Sequence, residues 1–130
     1  MDVGAMTLTH EEFEHFVQEA FDELPPDFQR NMDNVSIVVE DKPSAETVKK
    51  MGLRSPRELY GLYEGIPLNQ RGTWYGMSPV VPDRISLYKH NIERDARSLP
   101  ELRERIRHVL IHEIAHYYGM NEEEVRAAGY

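Results

Sequence analysis

Apolar side chains between residues 13 and 24 fall on one side of a helix. Phe13, Phe16, Val17, Ala20, Phe21 and Leu24 keep the spacing of three and four residues that an amphipathic helix requires. Thr9, with Glu12 three residues on, makes a capping box ahead of the run, and Leu8 is placed to staple onto Phe13. Pro25 and Pro26 stop it. The pattern predicts a helix that lies on the core and turns its acids outward.

A short turn of helix near Asp27 to Met32 precedes Val35 to Glu40, which is β-branched and apolar enough to be a buried strand. Ser44 suits the cap of a helix running to about Met51 and ended by Gly52. Leu59 to Glu64 sets Leu and Tyr in near alternation, a second strand. From Gly65 to Pro82, three Gly, three Pro and the only Trp mark an irregular connection of a length uncommon without a role. Arg84 to His90 alternates Ile85 and Leu87 with Ser86 and Tyr88, a strand with one buried face whose charged outer members suit a sheet edge. Ser98 and Glu101 make another capping box, Pro100 sits in the tolerant first turn, and Leu102, Ile106, Val109, Leu110 and Ile114 carry a helix to Gly119. The expectation is an α+β fold, a small, mostly three-stranded sheet packed with helices, one of them long.

Composition narrows the chemistry by exclusion. The chain has 130 residues, 40% hydrophobic and 29% charged, which is ordinary for a folded soluble protein and suits one domain over residues 1–130. The formal charge is −8, unevenly placed: residues 1–41 hold 11 acids and only Arg30, while residues 42–130 hold 12 acids and 14 bases. Nucleic-acid binding draws its affinity from clustered Lys and Arg, so no nucleic-acid partner is expected. Arg103, Arg105 and Arg107 do not answer that objection, because alternate positions on a helix share no face. The longest apolar runs, such as Ile37 to Val39, reach only three residues, and the first residues lack the basic start and apolar stretch of a secretion signal. A cytoplasmic protein with no membrane partner is expected. Cysteine is absent, which leaves His, Asp and Glu as the strong metal ligands.

Residues 112–116 read His112, Glu113, Ile114, Ala115, His116, or H-E-x-x-H. Four residues of α-helix turn through about 400° and rise about 6 Å, so both imidazoles project from one face and can reach one ion. Glu113, rotated about 100° from His112, flanks that face and can touch a water on the ion rather than the ion itself. Zn²⁺ held by neutral nitrogen and oxygen ligands brings such a water towards a pKa of about 7, where a neighbouring carboxylate takes its proton. With 6 His and 16 Glu in 130 residues, chance alone yields the motif somewhere with a probability of about 3%. His10, Glu11 and His15 offer a contrast, since histidines five residues apart on a helix diverge and have no shared metal role.

A hydrolytic zinc site needs a third protein ligand and an open fourth position. Only 14 residues follow His116, too few for the gluzincin arrangement, whose third ligand is a Glu on a later helix. The chain continues Tyr117, Tyr118, Gly119, Met120, Asn121, Glu122, giving H-E-x-x-H-x-x-G-x-x-E. Gly119 can take the left-handed turn that returns the chain across its own metal face, which makes Glu122 the expected third ligand. Glu123, water, an upstream side chain, or no third ligand are the alternatives. Asn121 also suits the cap of a short terminal helix with Glu122, Glu123 and Glu124 in its first turn, and a first-turn acid can bind metal as well. His108 reads as a solvated helix residue and His90 as a surface one.

His112 to Glu122, preceded by the strand Arg84 to His90 and a long arginine-bearing helix, resembles the small bacterial zincin-like metallopeptidases, which have a minimal zincin fold. The likeness extends over most of the chain, including the acidic first helix and Gly61 to Pro67, with the helix motif as its diagnostic part. It implies a Zn²⁺ cofactor, His112 and His116 as ligands and Glu113 as general base, with Glu122 where metzincins place their third ligand. Two departures from metzincins stand out: an acid at Glu122 where they usually have His, and no Met after Met120 to form the turn beneath their metal. Carboxylate in place of imidazole leaves a less positive metal.

The expected function is zinc-dependent hydrolysis of a peptide or protein substrate. An extended peptide would pair with the Arg84 to His90 edge strand, the metal would polarise the scissile carbonyl, and Glu113 would deliver the water and return its proton to the leaving amine. Tyr88, Tyr117 and Tyr118 are the candidates for an oxyanion partner, and Trp74 for a substrate rim. Two rival readings are a metal-binding interaction protein without turnover, marked by four protein ligands closing the zinc, and a metal-dependent ribonuclease, against which Glu113 and the −8 charge both argue.

Overall fold

The structure is a computed structural model that describes residues 7–68 and 83–130; Trp74 and most of the Gly65 to Pro82 connection lie outside the described residues. The first helix forms over His10–Asp22 (α1) with both halves of its capping box, Glu12 N–H donating to the Thr9 hydroxyl and Thr9 N–H to the Glu12 carboxylate. It buries Phe13, Val17 and Ala20, and Leu8, Phe16 and Phe21 pack half-buried on the same core. The short turn is Pro26–Gln29 (α2). Val35–Glu40 (β1), Gly61–Glu64 (β2) and Asp83–Tyr88 (β3) form the sheet. Between β1 and β2, Ser44 caps Ala45–Lys50 (α3), which Gly52 ends at φ 66°.

The strand order β1-β3-β2 overturns the expected edge. β3 is the middle strand, parallel to β1 with Ile37 opposite Ile85, and antiparallel to β2 with Tyr63 opposite the same Ile85. Both sides of its backbone are taken, so no peptide can pair with Arg84 to His90. Burial agrees. β3 buries Asp83, Ile85, Ser86, Leu87 and Tyr88, whereas β1, expected as the buried strand, is half-buried because it lies at an edge. Of β3's side chains only Arg84 reaches solvent, and it pairs with Glu40 across on β1.

Nor does the strand run to His90. Lys89–Arg94 form a helix (α4) that the hydrophobic pattern does not reveal, and His90 is exposed on it. From α4, Asn91 donates to the main-chain oxygens of Pro56 and Leu59 at 2.7 Å each, and Arg94 donates to that of Arg57 at 3.1 Å. Tyr60 donates its hydroxyl to Asp95 just beyond the helix. These bonds hold the start of β2 in place.

The long helix is Leu99–Tyr117 (α5), with Leu102, Ile106, Leu110 and Ile114 wholly buried. Ser98 caps it by accepting from Glu101 N–H, but the Glu101 carboxylate accepts from Arg97 N–H rather than Ser98, so the second half of that expected box is not made. Glu122–Ala127 (α6) completes the fold. Among the described residues no helix is long and apolar enough to cross a membrane.

Gly61 sets the distance between the sheet and α5. A Cβ there would lie 2.7 Å from Val109 Cγ1 and 3.1 Å from Glu113 Cγ, so glycine lets β2 lie directly on the helix that carries the histidines. Gly61→Ala is expected to destabilise the protein by about 1–3 kcal/mol, the usual cost of overpacking, in denaturant unfolding. An unchanged midpoint would mean that the helix simply moves away.

Candidate metal centre

α5 carries His112, Glu113 and His116 and ends in a Schellman turn. Gly119 stands at φ 101°, its N–H donating to His116 O at 2.9 Å, while Met120 N–H donates to Ala115 O at 3.1 Å. The chain thereby folds back over the histidines. Asn121 then caps α6, accepting from Glu124 N–H at 2.8 Å, while its own N–H donates to the Glu124 carboxylate at 2.9 Å. The cap leaves Glu122, in the first turn, with Oε1 2.9 Å from His112 Nε2 and 3.0 Å from His116 Nε2. These ligand atoms lie within 4.8 Å of one another, and Glu123 is not part of the group.

Each imidazole is held from behind. His116 Nδ1 lies 2.8 Å from the main-chain oxygen of Met120, and His112 Nδ1 lies 2.9 Å from that of Tyr130. A main-chain oxygen only accepts, so in the neutral ring the proton sits on Nδ1 and Nε2 presents a lone pair. Two such lone pairs facing one carboxylate oxygen repel unless a cation lies among them, either protons on both rings or a metal ion. Ligand atoms bound to zinc at about 2.0–2.2 Å stand about 3.3 Å apart at tetrahedral angles, close to the observed spacing. The donor set fits Zn²⁺.

With protons on both rings, the same contacts are hydrogen bonds from the imidazoles to Glu122. Burial alone would raise the Glu122 carboxyl, but hydrogen bonds from His112, Arg126 and His116 outweigh it and bring it down to about 2. Arg126 Nε donates to Glu122 Oε2 at 3.0 Å, which leaves Oε1 to the imidazoles. For His112, burial opposes the charged form, yet the Tyr130 main-chain oxygen and the Glu122 and Glu113 carboxylates prevail and raise it. Glu113 is only 7% exposed. Burial pushes its carboxyl above the usual carboxylate range, against the pull of the two imidazoles and of Tyr63 N–H, which donates to it. A buried carboxyl with a raised pKa beside a ligand cluster is suited to accept a proton.

The centre opens on a cleft of about 1240 Å³, walled by β2, by the His108 and His112 face of α5, and by Glu122, Arg126 and Tyr130. His108 is exposed, as expected, but on this wall. Tyr88, Tyr117 and Tyr118 do not line the cleft. Tyr88 and Tyr117 are buried, Tyr117 donates to the main-chain oxygen of Asn31, and Tyr118 donates to those of Asp27 and Arg30. The last two hold the α2 segment against α5, which removes them as oxyanion partners. Arg103 reaches Glu19 and lies over the Phe16 ring, while Arg105 reaches Glu101, so the arginines do part company. His10 and His15 pair separately with Glu14 and Glu19.

A family model described as zincin-like metallopeptidase matches residues 32–130. The chain belongs to this family. No curated protein matches it. The zincin-like match runs from just before β1 to beyond α6 and so includes every residue of the centre, while α1 and α2 precede it. Sequence reasoning missed three contributors to this zincin-like centre: Arg126, the Tyr63 N–H and Tyr130. Of these only Arg126 had a local signal, its place four residues after Glu122 on one helix.

Proposed function

We propose that this chain is a zinc metallopeptidase in which His112, His116 and Glu122 hold the ion and Glu113 is the general base. The observation that carries the reading is the convergence of two Nε2 lone pairs and one carboxylate oxygen at the wall of an open cleft, with a buried carboxyl beside them. Bound there, zinc supplies a Lewis acid for the scissile carbonyl. Glu113, oriented by Tyr63 N–H, takes a proton from the attacking water and returns it to the leaving amine.

The substrate strand pairs with β2 rather than β3. Tyr88 N–H donates to Tyr60 O at 2.9 Å, so in this register Tyr60, Leu62 and Glu64 exchange bonds with β3, and Gly61 turns its main-chain groups away from β3 on the cleft side, while the Tyr63 N–H serves Glu113. A metal-binding interaction protein without turnover would close the ion with a fourth ligand, and among the described residues no fourth His, Asp or Glu joins the group.

Incubation of the purified protein with an unfolded protein substrate tests the reading. Cleavage is expected, lost on stripping with a chelator and regained with zinc. Cleavage that persists after complete removal of metal would sink it.

A further inference from the structure

We infer that Gly129 and Tyr130 are positioning residues of the metal centre, locking the His112 imidazole from behind; this rests on the reading of His112 as a zinc ligand. The two imidazoles are served by one device used twice. α5 ends at Gly119, φ 101°, and the next residue, Met120, accepts the His116 Nδ1 proton. Beyond α6 stands Gly129, φ 95°, and the next residue, Tyr130, accepts that of His112. The turns match bond for bond: Gly129 N–H donates to Arg126 O and Tyr130 N–H to Val125 O, both at 3.0 Å. A Cβ at Gly129 would meet nothing within 4 Å, so packing does not demand glycine there. What glycine supplies is the positive φ that aims the following main-chain oxygen back at α5.

Tyr130 is anchored by its ring. It lies edge-on to Phe28 of α2, at 6.4 Å and 77°, and 6.3 Å from the ring of His108, one turn before His112. The partner of His116 comes from its own helix end, four residues on, but that of His112 is 18 residues away. α6 therefore straddles His112, with Glu122 of its first turn at Nε2 and Tyr130 beyond its last turn at Nδ1. Without the second contact the ring is free to flip and to exchange its two nitrogens, and an imidazole ordered in advance is what an outer-shell acceptor contributes to metal affinity.

The experiment compares Gly129→Val, Tyr130→Ala and the conservative Tyr130→Phe with the parent protein. It reads zinc affinity by competition with a chromophoric chelator, thermal unfolding of the zinc-free protein, and the nitrogen NMR signals of the His112 ring at alkaline pH. Zinc binding is expected to weaken about tenfold or more in the first two variants and to hold in Tyr130→Phe. The Nδ1-protonated ring of the parent should give way to a mixture in the first two, with zinc-free unfolding of Gly129→Val little changed. Zinc bound by Gly129→Val and Tyr130→Ala as tightly as by the parent overturns the positioning role and leaves the zinc site standing. An unaltered His112 ring signal in both overturns it as well, marking any loss of affinity as general loosening. A parent protein that binds no zinc overturns both this inference and the metallopeptidase reading.

Discussion

The double variant His112→Ala, His116→Ala is expected to hold no zinc after dialysis, and the parent protein to retain close to one ion per chain, both read by metal analysis. What remains is Glu122, a single half-exposed carboxylate already paired with Arg126, and one oxygen ligand does not make a zinc site. The loss should not come from unfolding. Both imidazoles face the cleft, whereas α5 is held by Leu102, Ile106, Leu110 and Ile114 on its buried side. Alanine is also the strongest helix former. Circular dichroism of the variant should therefore match the parent. Equal zinc in both proteins would place the metal elsewhere and remove the basis for the proposed chemistry.

Glu113→Gln should separate binding from turnover: zinc content unchanged, peptide cleavage lowered by about 10²–10⁴-fold. The amide has the shape of the carboxylate and keeps an oxygen to accept from Tyr63 N–H, but it takes no proton from water. Its position, flanking rather than within the group of His112, His116 and Glu122, leaves the proposed zinc ligands untouched. The substitution also removes a charge from a side chain that is 7% exposed, so the zinc-free variant is expected to unfold no earlier than the parent. Turnover at the parent's rate would assign the base to another group.

The sheet was misread in the sequence because alternation reports only how many faces a strand shows to solvent. Arg84, Ser86 and Tyr88 looked like an outward face, yet Ser86 and Tyr88 are 0% and 2% exposed. Neighbouring elements cover both sides of β3, and a serine hydroxyl or a phenol can be buried when bonded, as Ser86 is to Arg84 Nε at 3.3 Å. α4 escaped notice for a related reason. Lys89 and Glu93 carry charges and so add nothing to an apolar pattern, yet they are buried together as an ion pair at 3.0 Å, and Glu93 also accepts from Leu8 N–H at 2.8 Å. A charge with its partner beside it leaves no hydrophobic rhythm for periodicity to detect.

What the sequence by itself determined lies within short stretches of chain. The capping box of α1, the helical rise that brings His112 and His116 to one face and the turn at Gly119 each join residues five positions apart or fewer, so local backbone geometry is enough to specify them, whereas Glu122 stayed one of several candidates for the third ligand. The tertiary structure alone decided which strand borders the cleft, which N–H reaches Glu113 and which oxygen holds His112. Those pairings join residues 18 to 50 positions apart, and over such distances it is the packing of β2 and α6 on α5, rather than the spacing of side chains along the chain, that selects the partner.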